Sequence, residues 1–136
     1  MSETDSVGGA QPHPAPTTLK HTGSDVPNCP VLPVHPEPVT VYRILKGSSP
    51  CVDDLRTTAE ENRRVGEDPC LRNAISFWDD VERCRAILRS APKLGSGIAM
   101  CTIHPNSGPI KQTRGQGHWS WWPWVDQPRN LTFTVV

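Results

Sequence analysis

The chain has little aromatic material outside one short stretch, no long apolar run, and no closely spaced cysteines. One Tyr and two Phe stand beside five Trp in 136 residues. No apolar run approaches the 18 or so residues of a membrane-spanning helix. The opening residues place Glu3 and Asp5 ahead of the short patch Val7–Ala10, without the basic and apolar regions of a secretory signal. These features predict a cytoplasmic protein without a membrane partner. The five cysteines (Cys29, Cys51, Cys70, Cys84 and Cys101) form no Cys-x-x-Cys pair and no zinc-module spacing, so free thiols and no metal are expected. Acid is scarce late in the chain. Residues 1–38, 39–82 and 83–136 carry formal charges of −3, −3 and +6, and Asp126 is the only acid in the last segment. Either the two halves of one domain complement each other, or the C-terminal half seeks anions.

Proline is abundant where folding needs it least. Eight of the fifteen prolines fall in residues 1–38, a stretch without aromatic residues. Each fixes φ and removes a backbone donor, and the segment has too little apolar surface to offset the entropy of ordering it. The expectation is a disordered Pro-rich tail over 1–38 and a single domain over 39–136.

Within that domain, Val39–Lys46 reads as a strand that puts Arg43 on one face with Val39, Val41 and Leu45. An inward arginine must be paired or open onto a cleft. Residues 53–64 carry acids before Arg63 and Arg64 and predict a helix started by Asp53 or Asp54. Leu71 anchors a short helical turn. Ala74–Trp78 is a strand leading into a helix from Asp80 to Ser90, with Asp79 and Glu82 at capping-box spacing and Pro92 as the stop. Further strands are expected at 97–103, 109–113, the tryptophan stretch and 131–136. The sum is an α+β fold: a mainly antiparallel twisted sheet of five or six short strands with two helices, preceded by the disordered tail.

Four of the five tryptophans lie in Arg114–Trp124. As a strand, His118–Trp122 would put His118, Ser120 and Trp122 on one face and Trp119 and Trp121 on the other. Trp119 and Trp121 then fill the core, or the indoles offer a stacking surface to a base, a nicotinamide ring or a sugar. Gly115 and Gly117 permit close backbone approach but match neither phosphate-loop pattern. His118 is the candidate acid or base. The basic, aromatic C-terminal half gives limited support to nucleic-acid binding, without any module signature.

The blocks Tyr42-Arg43, Asp53-Asp54, Gly66-x-Asp-Pro69, Ile75-Ser-Phe-Trp78, Pro92-x-Leu-Gly95, Gly108-Pro-Ile110 and Gly117-His-Trp119 resemble, in order and spacing, a group of small bacterial proteins of unassigned function. A second similarity is to the ADP-ribosyltransferase fold, through Tyr42-Arg43 and the Ser76–Cys84 block. That resemblance implies an NAD cofactor, Arg43 on its phosphate or ribose side and Ser76 at the nicotinamide ribose; in a transferase of this kind His118, or Asp126, would stand in as the catalytic polar group, and Trp119 or Trp122 would be a stacking wall. The chain departs from the pattern in having no glutamate after Glu82. The resulting expectation is an NAD-linked transferase-like domain. The alternative is a non-catalytic binding, immunity or regulatory protein whose tryptophans meet a protein or nucleotide partner.

Overall fold

Strand β1 (Val39–Leu45) starts immediately after Pro38 and forms the middle of the molecule. The computed structural model describes residues 20–129 and 131–136. On one side β1 pairs along its whole length with β3 (Gly97–Ile103); on the other it meets β2 (Ile75–Trp78) at Tyr42–Trp78. Strand β5 (His118–Trp121) pairs with β2, β4 (Ile110–Gln112) pairs with β5, and β6 (Thr134–Val135) pairs with β3. The six-stranded sheet runs β4-β5-β2-β1-β3-β6, and every pairing is antiparallel. With helices α1 (Pro69–Arg72) and α2 (Val81–Ser90), this is an α+β fold.

Alternation along the strands sorts residues onto two faces. One face carries Val41, Ile75, Phe77, Cys101, Ile103, Ile110, Trp119 and Trp121, which form the core with Leu55; Leu131 and Phe133 pack against its margin. Burial of so many large side chains on one face pins the register, because a one-residue slip would turn all of them to water. The other face receives α2, whose buried residue is Cys84, and the Arg83 guanidinium lies 5.1 Å above the Trp78 ring. Asp80 caps α2 by accepting from the Glu82 amide at 2.9 Å. Asp79, expected as the cap, instead accepts from Trp119 Nε1 at 3.0 Å, which satisfies a buried indole donor.

The helix expected over 53–64 does not form. Val52–Leu55 makes one 3₁₀ turn and the chain is then extended at Arg56. The Asp54 carboxylate turns inward and accepts from the Lys46 and Cys51 amides at 2.8 and 2.9 Å. Thr57 and Glu60 exchange side-chain-to-backbone bonds of 2.8 and 3.0 Å, and Asn62 and Arg64 take left-handed conformations. Side-chain acceptors thus close a series of turns over a segment with too thin an apolar stripe to hold a helix on the sheet.

The tail expected over 1–38 divides into two parts. Residues 1–19 lie outside those described. Residues 20–38 contain no helix or named strand, as their prolines dictate, yet they are bound to the domain. Val125 donates to Lys20 O at 2.9 Å, Thr22 donates to Pro123 O at 3.1 Å, and His35 donates to Ile110 O at 2.8 Å. Cys29 is disulfide-bonded to Cys70, which corrects the expectation of free thiols at both positions. The packed structure therefore begins well before residue 39, as a strap held by its backbone and one covalent bond rather than by apolar side chains.

Gly108 joins β3 to β4 with φ of 129°, and a Cβ built there would lie 2.3 Å from Trp122 O. That oxygen belongs to the backbone and cannot step aside. Gly108→Ala is expected to cost about 2 kcal/mol through strain and clash together. Urea denaturation checks it, and a change below about 0.5 kcal/mol, the level of a neutral surface substitution, would contradict the geometry.

Candidate functional site

The residues expected to share a cofactor cleft are separated by the sheet itself. Arg43 lies on the core face. Its Nε donates to Asp54 O at 2.8 Å, one terminal nitrogen donates to Ser76 O at 2.7 Å, and the guanidinium lies 5.7 Å from the Phe77 ring centre. Burial lowers its pKa from the usual arginine value, and the Glu61 and Asp54 carboxylates oppose that shift. Ser76 and His118 belong to the opposite face, where Ser76 pairs with Ser120 and Trp78 with His118. Arg43 touches the carbonyl of Ser76, not its hydroxyl. Arg43, Ser76 and His118 therefore do not line one cleft.

His118 is almost fully buried, at 3% exposure. Its ring meets Trp78 edge-on with centroids 4.6 Å apart. Thr113 Oγ1 lies 3.1 Å from His118 Nδ1 and 2.8 Å from Ser120 Oγ. A neutral imidazole can accept at Nδ1 from the Thr113 hydroxyl, which in turn accepts from Ser120, so one run of hydrogen bonds joins the three side chains. Burial, reinforced by the positive charge of Arg114, holds the His118 pKa down at about 4.

Trp119, Trp121 and Trp122 are packing residues, so the alternative of an exposed stacking surface does not hold for them. Trp121 and Trp122 are each 1% exposed, and Trp119 is also buried. Their indole nitrogens donate to Ser107 O, Cys70 O and the Asp79 carboxylate respectively. Trp119 and Trp121 take the core face, as the strand alternation predicts. Trp122 lies just beyond β5, against the Gly23 backbone and near Cys29. Trp124 is partly exposed, with the His21 ring tilted against it at 6.2 Å between centroids.

A cleft of about 770 Å³ lies elsewhere, between the turn at 50–56 and the C-terminal residues 127–129, 131 and 133. Its floor is Leu55, Leu131 and Phe133, the margin of the core. Val52, 82% exposed, forms one lip beside the exposed thiol of Cys51. Four charged residues border it: Asp53, Arg56, Glu60 and Arg129. Arg129 grips Glu60 with both terminal nitrogens at 2.6 and 2.8 Å and also donates to Leu55 O at 2.8 Å. Arg56 donates to Glu60 O at 2.6 Å. The hydrogen bonds from Arg129 hold the Glu60 carboxyl down at about 2. The border is thus formally neutral, and two of its ions are bound to each other.

The cleft escaped detection in the sequence because its walls are some 75 residues apart and share no motif. One signal was present: the alternation of Leu131, Phe133 and Val135 on a strand that pairs only at Thr134–Val135. Among the described residues, no group of three or more His, Cys, Asp and Glu side chains is placed to hold a metal ion, and no helix is long and apolar enough to cross a membrane. No family model, curated protein or solved structure matches the chain.

Proposed function

We propose that the protein is a ligand-binding domain that takes a neutral, largely apolar small molecule in the cleft between the turn at 50–56 and residues 127–129, 131 and 133. The observation that carries this reading is the composition of that cleft. An apolar floor of Leu55, Leu131 and Phe133 lies under a formally neutral rim, and a volume of about 770 Å³ suits a drug-sized ligand. An ionic ligand would have to compete with the Arg129–Glu60 pair for its charge partner. A neutral ligand leaves that pair intact and gains by displacing water from the floor. Glu60, with its pKa near 2, remains a carboxylate at neutral pH and is poorly matched to proton transfer there. That favours binding over acid–base catalysis at this site.

Titration with Nile red, a neutral apolar dye, tests the proposal. Saturable one-to-one fluorescence enhancement is expected, and it is expected to vanish in Leu131→Lys. Leu131 is only partly buried, so a lysine there can keep its stem on the floor and its charge in water. Circular dichroism would establish that the variant is folded. Equal binding by a folded Leu131→Lys protein, or no saturable binding by the natural sequence, would overturn the proposal.

A further inference from the structure

We propose that the Cys29–Cys70 disulfide is a redox latch: it holds the strap of residues 20–38 over the tryptophan-rich end of the sheet, and its reduction releases the strap while the sheet stays folded. The proposal rests on how little else holds the strap. Between Lys20 and Pro38 its only sheet-like pairing is the single bridge His21–Trp124. Of its larger apolar residues Val31 and Leu32 are mostly exposed and Val26 and Val34 only half-buried, so its own side chains add little burial to the closed state. Beyond that bridge there are three backbone bonds, at Lys20, Thr22 and His35, one from the Thr22 hydroxyl to Asn73 O and an exposed Lys111 Nζ contact of 3.2 Å to Pro33 O, each of modest net worth.

The strap covers what the sheet would otherwise expose. Around Gly23 it lies directly on the Trp122 ring, which is why a Cβ there would fall 2.8 Å from Trp122 Cδ1 and 2.5 Å from Cys29 Sγ. At its other end the His35 ring stands edge-on to Trp119 at 4.9 Å, while the His35 amide occupies the carbonyl of Ile110 on edge strand β4. Release therefore uncovers Trp122, the outer side of Trp119 and the β4 edge together. An open edge beside large apolar side chains is the kind of surface that recruits another chain. Cys70 sits on the body of the domain, in α1, whose first turn Asp68 caps at 2.8 Å. The bond thus joins a weakly held segment to a fixed one.

Both sulfurs belong to half-buried residues, within reach of a small dithiol. The reductant's thiolate attacks one sulfur of the Cys29–Cys70 bond and forms a mixed disulfide, displacing the other cysteine as a thiolate that takes up a proton. The reductant's second thiol then closes its own disulfide and frees the remaining cysteine. Two electrons and two protons pass to Cys29 and Cys70, and the dithiol leaves oxidised.

Hydrogen exchange on the full chain, with and without dithiothreitol, tests the latch. The amides of Thr22, His35 and Val125, each bonded across the strap contact, are expected to lose protection by roughly a hundredfold on reduction, within the range attributed to closing a loop of this size. The β1–β3 ladder is expected to remain protected, and tryptophan quenching by acrylamide is expected to rise and to reverse on reoxidation. The double variant Cys29→Ser/Cys70→Ser should behave as the reduced protein. Unchanged protection at the three amides would overturn the proposal. So would loss of protection throughout the β1–β3 ladder, which would make the bond a global staple instead.

Discussion

Replacing Arg43 with methionine is expected to destabilise the domain by about 4 kcal/mol. Methionine keeps most of the aliphatic stem against Phe77 but removes the guanidinium. The carbonyl oxygens of Asp54 and Ser76 then lose their donors, at 2.8 and 2.7 Å in the native fold. Each buried acceptor left without a partner costs about 1–3 kcal/mol. The nearby Asp54 carboxylate, itself buried, also loses a compensating positive charge. Arg43→Lys should recover only part of the loss, because one ammonium on a flexible stem cannot reproduce a planar donor set aimed at two carbonyls. Urea denaturation at pH 7 measures both. A loss below about 1 kcal/mol for Arg43→Met, under the cost of one orphaned acceptor, would show that the arginine is free to serve a ligand, as an NAD cleft would require.

The second large effect is a dependence of stability on pH. His118 titrates near 4 in the folded protein and near 6.5 when unfolded. Between those values the unfolded chain binds a proton that the folded one refuses, so stability rises with pH. Its contribution is fully present above about pH 6.5 and is lost as pH falls towards 4. The difference between the two pKa values corresponds to about 3 kcal/mol. Burial also lowers the pKa of His21, which adds to the slope with the same sign. Glu60 adds a share of the same sign lower on the scale: with its pKa held at about 2 by Arg129, that share is lost as pH falls from about 4.5 towards 2. His118→Asn retains a hydrogen-bonding group near Thr113 but cannot take up the proton. Its stability should be nearly flat between pH 6.5 and 4.5 apart from the His21 share. An unchanged slope in that variant would assign the effect to other groups.

The sheet was legible because its strands announce themselves locally. Val39–Leu45 and Gly97–Ile103 are rich in β-branched residues, and Trp119 and Trp121 fall on the core face by simple alternation. Asp80–Ser90 carries a helical apolar stripe between an acid and a proline. Failures came where tertiary partners decided the outcome. Asp54 does serve the start of a turn, in a capping box with Cys51, but the turn is a single 3₁₀ one and the Lys46 amide ties the carboxylate to β1. Asp79 looked like a capping acid, but an indole forty residues away claims it. Composition identified residues 20–38 as unable to fold alone, yet it carries no information on a covalent partner, and cysteine spacing does not encode pairing. Arg43 was rightly singled out as an inward charge that needs partners. Sequence offers no way to see that the partners are two carbonyl groups instead of a ligand. Leu55, Leu131 and Phe133 read as ordinary core residues, and only the departure of the chain from β3 before Thr134 opens a cleft over them.

That cleft contains its own reporter. Cys51 is the exposed free thiol among the described residues and lines the cleft, whereas Cys84 and Cys101 are buried, their thiols pushed up to about 11 and about 12 chiefly by burial. Alkylation by iodoacetamide at pH 8 therefore reads Cys51 almost alone. The decisive measurement is the rate of that reaction as Nile red is titrated in. A binding domain of the kind proposed predicts that the rate falls in proportion to the fraction of protein occupied, and that Leu131→Lys abolishes the protection. Saturable dye binding with an unchanged Cys51 rate would place the ligand elsewhere and contradict the assignment of this cleft.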